Sequence, residues 1–302
     1  MKTAFCTIST RSHRFKTRTL FRSLRPYTEA DFFALYTDHS LYEEDDKLYK
    51  PVQFEQIITK ETAGLVKYNK DKRRWGSKPF LMLYLLNKGY DAVIYVDNDI
   101  CFYASPDFLF NKLKKQSILL TPHYYPADPQ RNQIWLEANF RVGLYNAGFI
   151  GASQKGMDAL MWWGNCCLYN IKKAYCRGLF DDQKYLDAIP VFYDDVEIIK
   201  HRGCNVAAWN IETSIRSLNE KGELRLNRIW PLVFIHFNIY TIQAILSGKD
   251  SLLKPYLVQY TEVLQQEEPR YDPGKEVRIW KFYFKAYLNM FKFKVNRLFD
   301  AK

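Results

Sequence analysis

The chain has 302 residues, of which 47% are hydrophobic and 25% charged, and a formal charge of +11 from 44 basic and 33 acidic side chains. That length and apolar content support a large core and exclude a disordered or fibrous chain, and Gly and Pro are too scattered to form a linker, a low-complexity tract or a repeat. The basic balance calls for acidic partners, and the lack of an RNA-binding signature or zinc-finger spacing argues against nucleic acid and for anionic lipid or phosphate-bearing small molecules.

Cys6, Cys101, Cys166, Cys167, Cys176 and Cys204 form no Cys-x-x-Cys pair and read as reduced thiols. The N-terminal MKTAFCTISTRSH is too polar for a signal peptide, and no run of about 18 apolar residues occurs. The expectation is a cytoplasmic protein whose membrane contact, if it has one, is peripheral on the inner face.

Thr3 to Ile8 predicts a first strand, with a polar turn from Ser9 to His13 and a helix through Leu24. Phe32 to Tyr36 predicts a second strand, ending at Thr37-Asp38. Strand, helix, strand from the start predicts a parallel sheet whose strand ends gather ligand loops. Val66 to Lys78 is basic and reads as a solvated loop up to Ser77, which would cap a buried helix begun by Pro79 and stopped at Gly89. Lys78 then stands at a buried helix start, a place suited to phosphate.

Ala92 to Ile100, AVIYVDNDI, is an apolar run ending in two aspartates. Asp97 and Asp99 sit where this strand leaves the sheet, and residues i and i+2 of an extended chain point the same way, so both can hold one divalent cation. Read without its company, Asp-Asn-Asp is equally a polar turn after a strand.

A helix follows from Ser105-Pro106-Asp107 to Leu113, then a strand over Ser117 to Leu120 and a polar, aromatic loop from Pro122 to Gln133 suited to substrate specificity. Tyr145 to Gly151, YNAGFIG, reads as a strand in which Gly148 admits a ligand close to the backbone and Asn146 offers both a donor and an acceptor, or as a bulged strand with a structural Asn. Met157 to Leu168 is a helix whose Trp162 and Trp163 read as packing. Gly178 to Gln183 opens a helix that ends before Pro190, where Asp181 and Asp182 suit the helix dipole. Asn205 to Asn210 is a short strand or turn, and Pro231 to Phe237 a final strand, in which a His among aromatics is ordinarily a core residue.

Taken in order, the Lys78-Pro79 pair, YDAVIYVDNDI from Tyr90, YNAGFIG from Tyr145, GLFDDQKYLDAIP from Gly178, and GCNVAAWNI followed by FIHF at His236 resemble bacterial glycosyltransferases of the GT-A fold. The nearest resemblance is to the group of lipopolysaccharide galactosyl- and glucosyltransferases and glycogenin, the family 8-like enzymes. It spans about residues 3 to 240 and implies a Rossmann-like, mixed but mostly parallel sheet flanked by helices, with a catalytic domain over 1–245 and a helical extension over 246–302.

The resemblance also implies roles. Asp97, Asp99 and His236 are the ligands of Mn2+ or Mg2+. Thr7, Ile8, Asp38, Lys78, Asp97, Asn98, Asn146 and Gly148 bind the donor, and Asp182 and Gln183 face its sugar as catalytic residues. The Thr7-Ile8-Ser9-Thr10 run lacks the acidic residue usual in relatives, and UDP is the default nucleotide. The implied reaction moves a hexose from a UDP-sugar to a glycan or lipid-linked saccharide, with retention. Two rivals use the same residues: a haloacid-dehalogenase-type phosphatase with Asp97 as nucleophile and Asp99 as acid, and a non-catalytic sugar-nucleotide or glycan-binding protein.

The C-terminal VRIWKFYFKAYLNMFKFKVNRLF, residues 277 to 299, places Trp280, Phe284, Tyr287, Leu288, Phe291, Val295 and Leu298 on one helical face beside Lys281, Lys285 and Lys292. That pattern predicts either a helix lying on anionic lipid or one docked on the catalytic domain.

Overall fold

The computed structural model describes residues 1–38 and 48–279. The segment expected to meet lipid, from Trp280 onward, lies outside the described residues.

The chain opens with β1 (Thr3–Ser9), α1 (Arg14–Leu24), β2 (Asp31–Tyr36), β3 (Lys50–Gln53) and α2 (Lys70–Asn87), and continues through β4 (Ala92–Val96), β5 (Ile100–Phe102) and α3 (Asp107–Leu113). Next come β6 (Ile118–Pro122), α4 (Gln133–Arg141), β7 (Tyr145–Ser153), α5 (Met157–Tyr169), α6 (Ile189–Phe192) and β8 (Val196–Ile198). The last part holds β9 (Arg216–Leu218), β10 (Leu224–Leu226), β11 (Trp230–Pro231), β12 (Phe234–His236), α7 (Ile239–Leu246) and α8 (Lys254–Glu267).

The main sheet has seven strands in the order β3-β2-β1-β4-β7-β6-β8. Its pairs are parallel except those that β7 makes with β4 and β6. Two small antiparallel sheets, β11-β10-β9 and β12-β5, complete the β-structure. This is the mixed, mainly parallel α/β sheet that the resemblance implies, where the order of strands and helices alone predicts a parallel one.

Alternation along β4 assigns its two faces. Val93 and Tyr95 pack with residues of α2 and α5, whereas Ala92, Ile94 and Val96 pack with residues of α1 and α3. All five are buried, as expected for a central strand covered on both sides. α2 and α5 approach closely because Gly164 faces the Phe80 ring, where a Cβ would fall 2.6 Å from the ring edge. A third cluster, including Ile235, Phe237, Ile242, Leu257, Tyr260 and Leu264, joins β12 to α7 and α8. Arg18 and Arg22 of α1 pair with Glu267 of α8 at 2.9 and 2.6 Å.

Two sequence expectations are corrected. The basic stretch before Lys78 is helical, because α2 starts at Lys70, where Asn69 caps it by accepting from Lys72 N at 3.1 Å. Lys, Asp and Arg are compatible with a helix, and that outweighs the start signal of Ser77-Pro79. Pro79 therefore lies inside the helix, and Ser77 Oγ donates to Arg73 O at 2.7 Å rather than capping. Likewise Pro190 does not follow a helix but sits in the first turn of α6, where a missing N–H costs nothing, and Lys184–Ala188 before it is a 3-10 turn. The loop expected from Pro122 to Gln133 is followed by α4, a half-buried helix to which the sequence reading assigned no element.

Candidate active site

β4 stops at Val96, and Asp97, Asn98 and Asp99 form a turn before β5, with Ile100 N donating to Asp97 O at 3.1 Å. The two carboxylates are thus brought together by a turn and not by extended-chain alternation. Asp97 N donates to Gly148 O, and Phe237 N to Asp99 O, both at 2.8 Å, tying the turn to β7 on one side and to the end of β12 on the other. β12 pairs antiparallel with β5, His236 opposite Ile100. That register sets His236 Nε2 3.0 Å from Asp99 Oδ1.

One ligand atom each from Asp97, Asp99 and His236 lies within 4.8 Å of the others. Two carboxylates and an imidazole suit Mn2+, and Mg2+ less well on account of the nitrogen. The surroundings fit an ion too. A Cβ at Gly148 would fall 2.5 Å from Asn146 Oδ1, 2.6 Å from His236 Cε1 and 2.8 Å from Asp97 Oδ2, so only glycine keeps this cradle open. Burial opposes ionisation of Asp99, but the charge and hydrogen bond of His236, followed by Lys16, outweigh it and hold the carboxyl well below the usual range. Burial would lower His236, and Asp99 beside it raises it instead.

Lys78 reaches the site from mid-helix on the α2 side. Its Nζ donates to Ala147 O at 3.0 Å and lies 3.1 Å from Asp182 Oδ2 and 3.5 Å from Asp97 Oδ1. Burial alone would lower its pKa, and the two carboxylates raise it. The Tyr95 hydroxyl donates to the same Asp97 Oδ1 at 2.7 Å. Asp182 is 2% exposed, and its carbonyl accepts from Trp163 Nε1 at 2.7 Å. Gln183 binds through both ends of its amide, accepting from Ala147 N and donating to Val142 O, each at 3.2 Å.

The structure therefore brings Asp97, Asp99, His236, Asn146, Gly148, Lys78, Asp182 and Gln183 together at the carboxyl end of β4. Asn98 Nδ2 donates to Ser9 Oγ at 3.1 Å, which joins the end of β1 to this turn. Thr7 and Ile8 are buried within β1, and Thr7 Oγ1 has no partner among the described residues. Asp38 lies at the end of β2 and accepts from Arg11 N at 2.9 Å.

Sequence reading missed Tyr95, His123 and Trp209. Asn146 Nδ2 is 3.2 Å from His123 Nε2, and His123 Nδ1 is 3.0 Å from Gly143 O, which assigns the proton to Nδ1. Burial pushes His123 down to about 3, so it is neutral. An aromatic series runs outward from the cluster: His236 meets Trp209 at 5.3 Å, Trp209 meets His123 at 5.5 Å, and His123 stacks on Tyr125, which stacks on Trp135 of α4. The available signal was His123 just past a strand end, the position that drew attention to Asp97.

No family model matches the chain. It is similar to two uncharacterized proteins of Bacillus subtilis (strain 168): YfnF, 29% identical over 261 residues, or 81% of this chain and 84% of that one, and YfnD, 27% identical over 251 residues, or 79% and 78%. Among solved structures, one neighbour is the galactosyltransferase LgtC in complex with donor and acceptor sugar analogues, with a TM-score of 0.54 and 13% identity over 87% of this chain and 95% of that one. An active-site mutant of LgtC gives a TM-score of 0.52 and 14% identity over 78% and 86%. At such identities the likeness speaks for the fold, and the chain has the GT-A fold.

Proposed function

We propose that the protein is a metal-dependent glycosyltransferase of the lipopolysaccharide galactosyl- and glucosyltransferase type. It would move a hexose from a nucleotide sugar, with UDP as the first choice, to a glycan or lipid-linked saccharide acceptor with retention. The observation that carries this reading is the convergence of Asp97, Asp99 and His236 around the glycine-lined cradle at the carboxyl end of β4, where α/β sheets bind ligands. A cytoplasmic location, where nucleotide sugars are soluble, is part of this proposal. Among the described residues no helix is long and apolar enough to cross a membrane.

Asp97, Asp99 and His236 would hold Mn2+ or Mg2+, which when bound supplies Lewis-acid stabilisation of the leaving diphosphate. Asn146 and Gly148 line the sugar side, Asn146 being oriented by His123. Thr7, Ile8, Asp38 and Asn98 flank the nucleotide side. Lys78 Nζ donates to Ala147 O and is ion-paired with both Asp97 and Asp182, which suits it to fixing these two carboxylates more than to meeting phosphate directly. Asp182, nearly without solvent contact, suits electrostatic support beneath an electron-poor sugar better than proton abstraction from an acceptor arriving through solvent. That favours retention.

The phosphatase alternative would put the Asp-x-Asp motif on a first strand and leave its leading Asp free as a nucleophile. Here the motif follows β4, and Asp97 accepts from Tyr95 and pairs with Lys78. The test is release of free nucleotide from a panel of UDP-sugars with and without Mn(II). Metal-dependent release is expected. Phosphate release from a phosphoester would favour the phosphatase, donor binding without turnover a binding protein, and no donor binding would overturn the proposal.

A further inference from the structure

Among the described residues, one buried lysine has no part in the roles given above. Lys16, in the first turn of α1, is 8% exposed, and its Nζ lies 2.8 Å from Glu276 Oε1. The other Glu276 oxygen accepts from the Tyr271 hydroxyl at 2.6 Å. Tyr271 in turn packs against Phe15 of α1, ring centroids 5.8 Å apart. A carboxylate 260 positions along the chain thus closes over this lysine.

The pair stands beside the candidate site. α1 runs along β5, the strand that leaves Asp99, and Phe102 N donates to Ser23 Oγ at 3.1 Å. On the other side, Phe237, which follows His236, stacks on Tyr260 at 4.3 Å. The Tyr260 hydroxyl, on a residue 1% exposed, has no hydrogen-bond partner among the described residues. The chain enters α1 from Ser9, whose Oγ accepts from Asn98 Nδ2 in the Asp97–Asp99 turn at 3.1 Å. Lys16 therefore lies on the α1 side of the cluster and Lys78 on the α2 side.

The two lysines differ in what binds them. Lys78 is held by two carboxylates and a carbonyl, all part of the site floor. Lys16 is held by a half-exposed carboxylate from the far end of the chain, with a side-chain exposure of 33% for Glu276 against 10% for the lysine. The diphosphate of a nucleotide sugar carries two negative charges, and a further one develops as the sugar departs, which is more than one divalent cation cancels. A long, flexible ammonium whose present partner can return to water is suited to supply the remainder.

We propose that Lys16 is a contact for the donor diphosphate that Glu276 holds until nucleotide sugar binds, so that residues 268–279 act as a latch on the donor site. This rests on the glycosyltransferase reading. The lysine exchanges one oxygen anion for another and no covalent bond changes.

The test is titration calorimetry of the full chain with UDP, GDP, CDP and ADP in MnCl2, for wild type, Lys16→Met, Lys16→Arg and Glu276→Gln. Loss of a charge-assisted contact should weaken the best-bound nucleotide about tenfold in Lys16→Met, with Lys16→Arg within a few-fold of wild type. Glu276→Gln should tighten binding by about two- to five-fold, because the lysine no longer leaves a carboxylate. Opposite signs for Lys16→Met and Glu276→Gln are the signature. A purely structural ion pair would move both the same way or neither, and either result overturns the proposal. If Lys16→Met does not fold, the sign of the Glu276→Gln shift decides. If wild type binds none of the four nucleotides, the glycosyltransferase reading itself falls.

Discussion

The turn after β4 and the segment from His123 to Leu144 border the same site and are built in opposite ways. In the turn, the backbone of Asp97 and Asp99 is fixed to β7 and to the end of β12, and their side chains meet His236, Tyr95 and Lys78. In the other segment, α4 buries no residue fully and exposes Ile134 at 80% and Phe140 at 69%. It is anchored mainly at its ends and by Trp135 stacked on Tyr125. The contrast teaches that groups needing fixed geometry stand on strand ends of the main and β12-β5 sheets, and that the outer wall, where an acceptor would be chosen, is a lightly held helix.

The contrast breaks most plainly at the turn. Asp99→Ala should lower Mn(II)-dependent nucleotide release by about 10³-fold or more while the circular dichroism spectrum stays native. Gly148→Ala should lose metal-dependent release to a similar degree, because its Cβ would overlap Asn146, His236 and Asp97. Activity within tenfold of wild type in either variant would remove the turn from the site.

Next in size is the floor beneath it. Lys78→Met leaves Asp182, 2% exposed, without its cation, and should cost about 3–5 kcal/mol of unfolding free energy. Urea denaturation reads this, and Lys78→Met with Asp182→Asn should recover a large part. A loss below about 1 kcal/mol would show that the turn does not depend on this pair.

How much of this was legible in the sequence follows from the same contrast. Ala92–Val96 is read well because it is a continuous apolar run, and Thr3–Ser9 because apolar and β-branched residues fill it up to a polar turn. The Asp-Asn-Asp turn is read because it ends one of them. The start of α2 was hidden by Ser77-Pro79, a local signal overruled by the capped, helix-forming run before it. α4 is short and only half-buried, through Trp135 and Ala138, so its period is carried by too few residues to stand out from a polar, aromatic loop. His236 was assigned by resemblance alone, since nothing local distinguishes a ligand from a core histidine until β12 is laid against β5. Tyr95 and His123 act only through partners that the fold brings close, and the Lys16–Glu276 pair spans nearly the whole chain.

A pH test sharpens the view of the floor. Burial, with Asp182 adding to it and Lys173 and Lys78 opposing, pushes Asp181 up to about 6 from an ordinary 3.8. A raised carboxyl means that the native state holds the proton more tightly than the unfolded chain. Its contribution is therefore full below about pH 4 and is lost as pH rises through about 6. Asp181 also has a φ of 50°, in the left-handed region, which Asn tolerates as well. Asp181→Asn should flatten stability between about pH 4 and 6 and raise it at pH 7 by about 1 kcal/mol after allowance for solvent and Lys173. Thermal melts across that range check it, and an unchanged slope would show that Asp181 is ionised without cost.

The smallest effect on stability is expected at α4, and there the two regions should separate. Ile134→Ser and Phe140→Ser remove exposed apolar surface and no packed contact, so stability should change by no more than about 0.5 kcal/mol. Nucleotide release to water should also hold, because the turn, β12 and β7 are untouched. Transfer to a saccharide acceptor should change instead, seen as a higher acceptor KM, since α4 continues the aromatic series that leads from His236 through Trp209, His123 and Tyr125 to Trp135. A loss of stability of about 2 kcal/mol would mean that α4 is packed more firmly than its exposure implies. A fall in nucleotide release matching the fall in transfer would mean that the wall and the turn after β4 work as one unit.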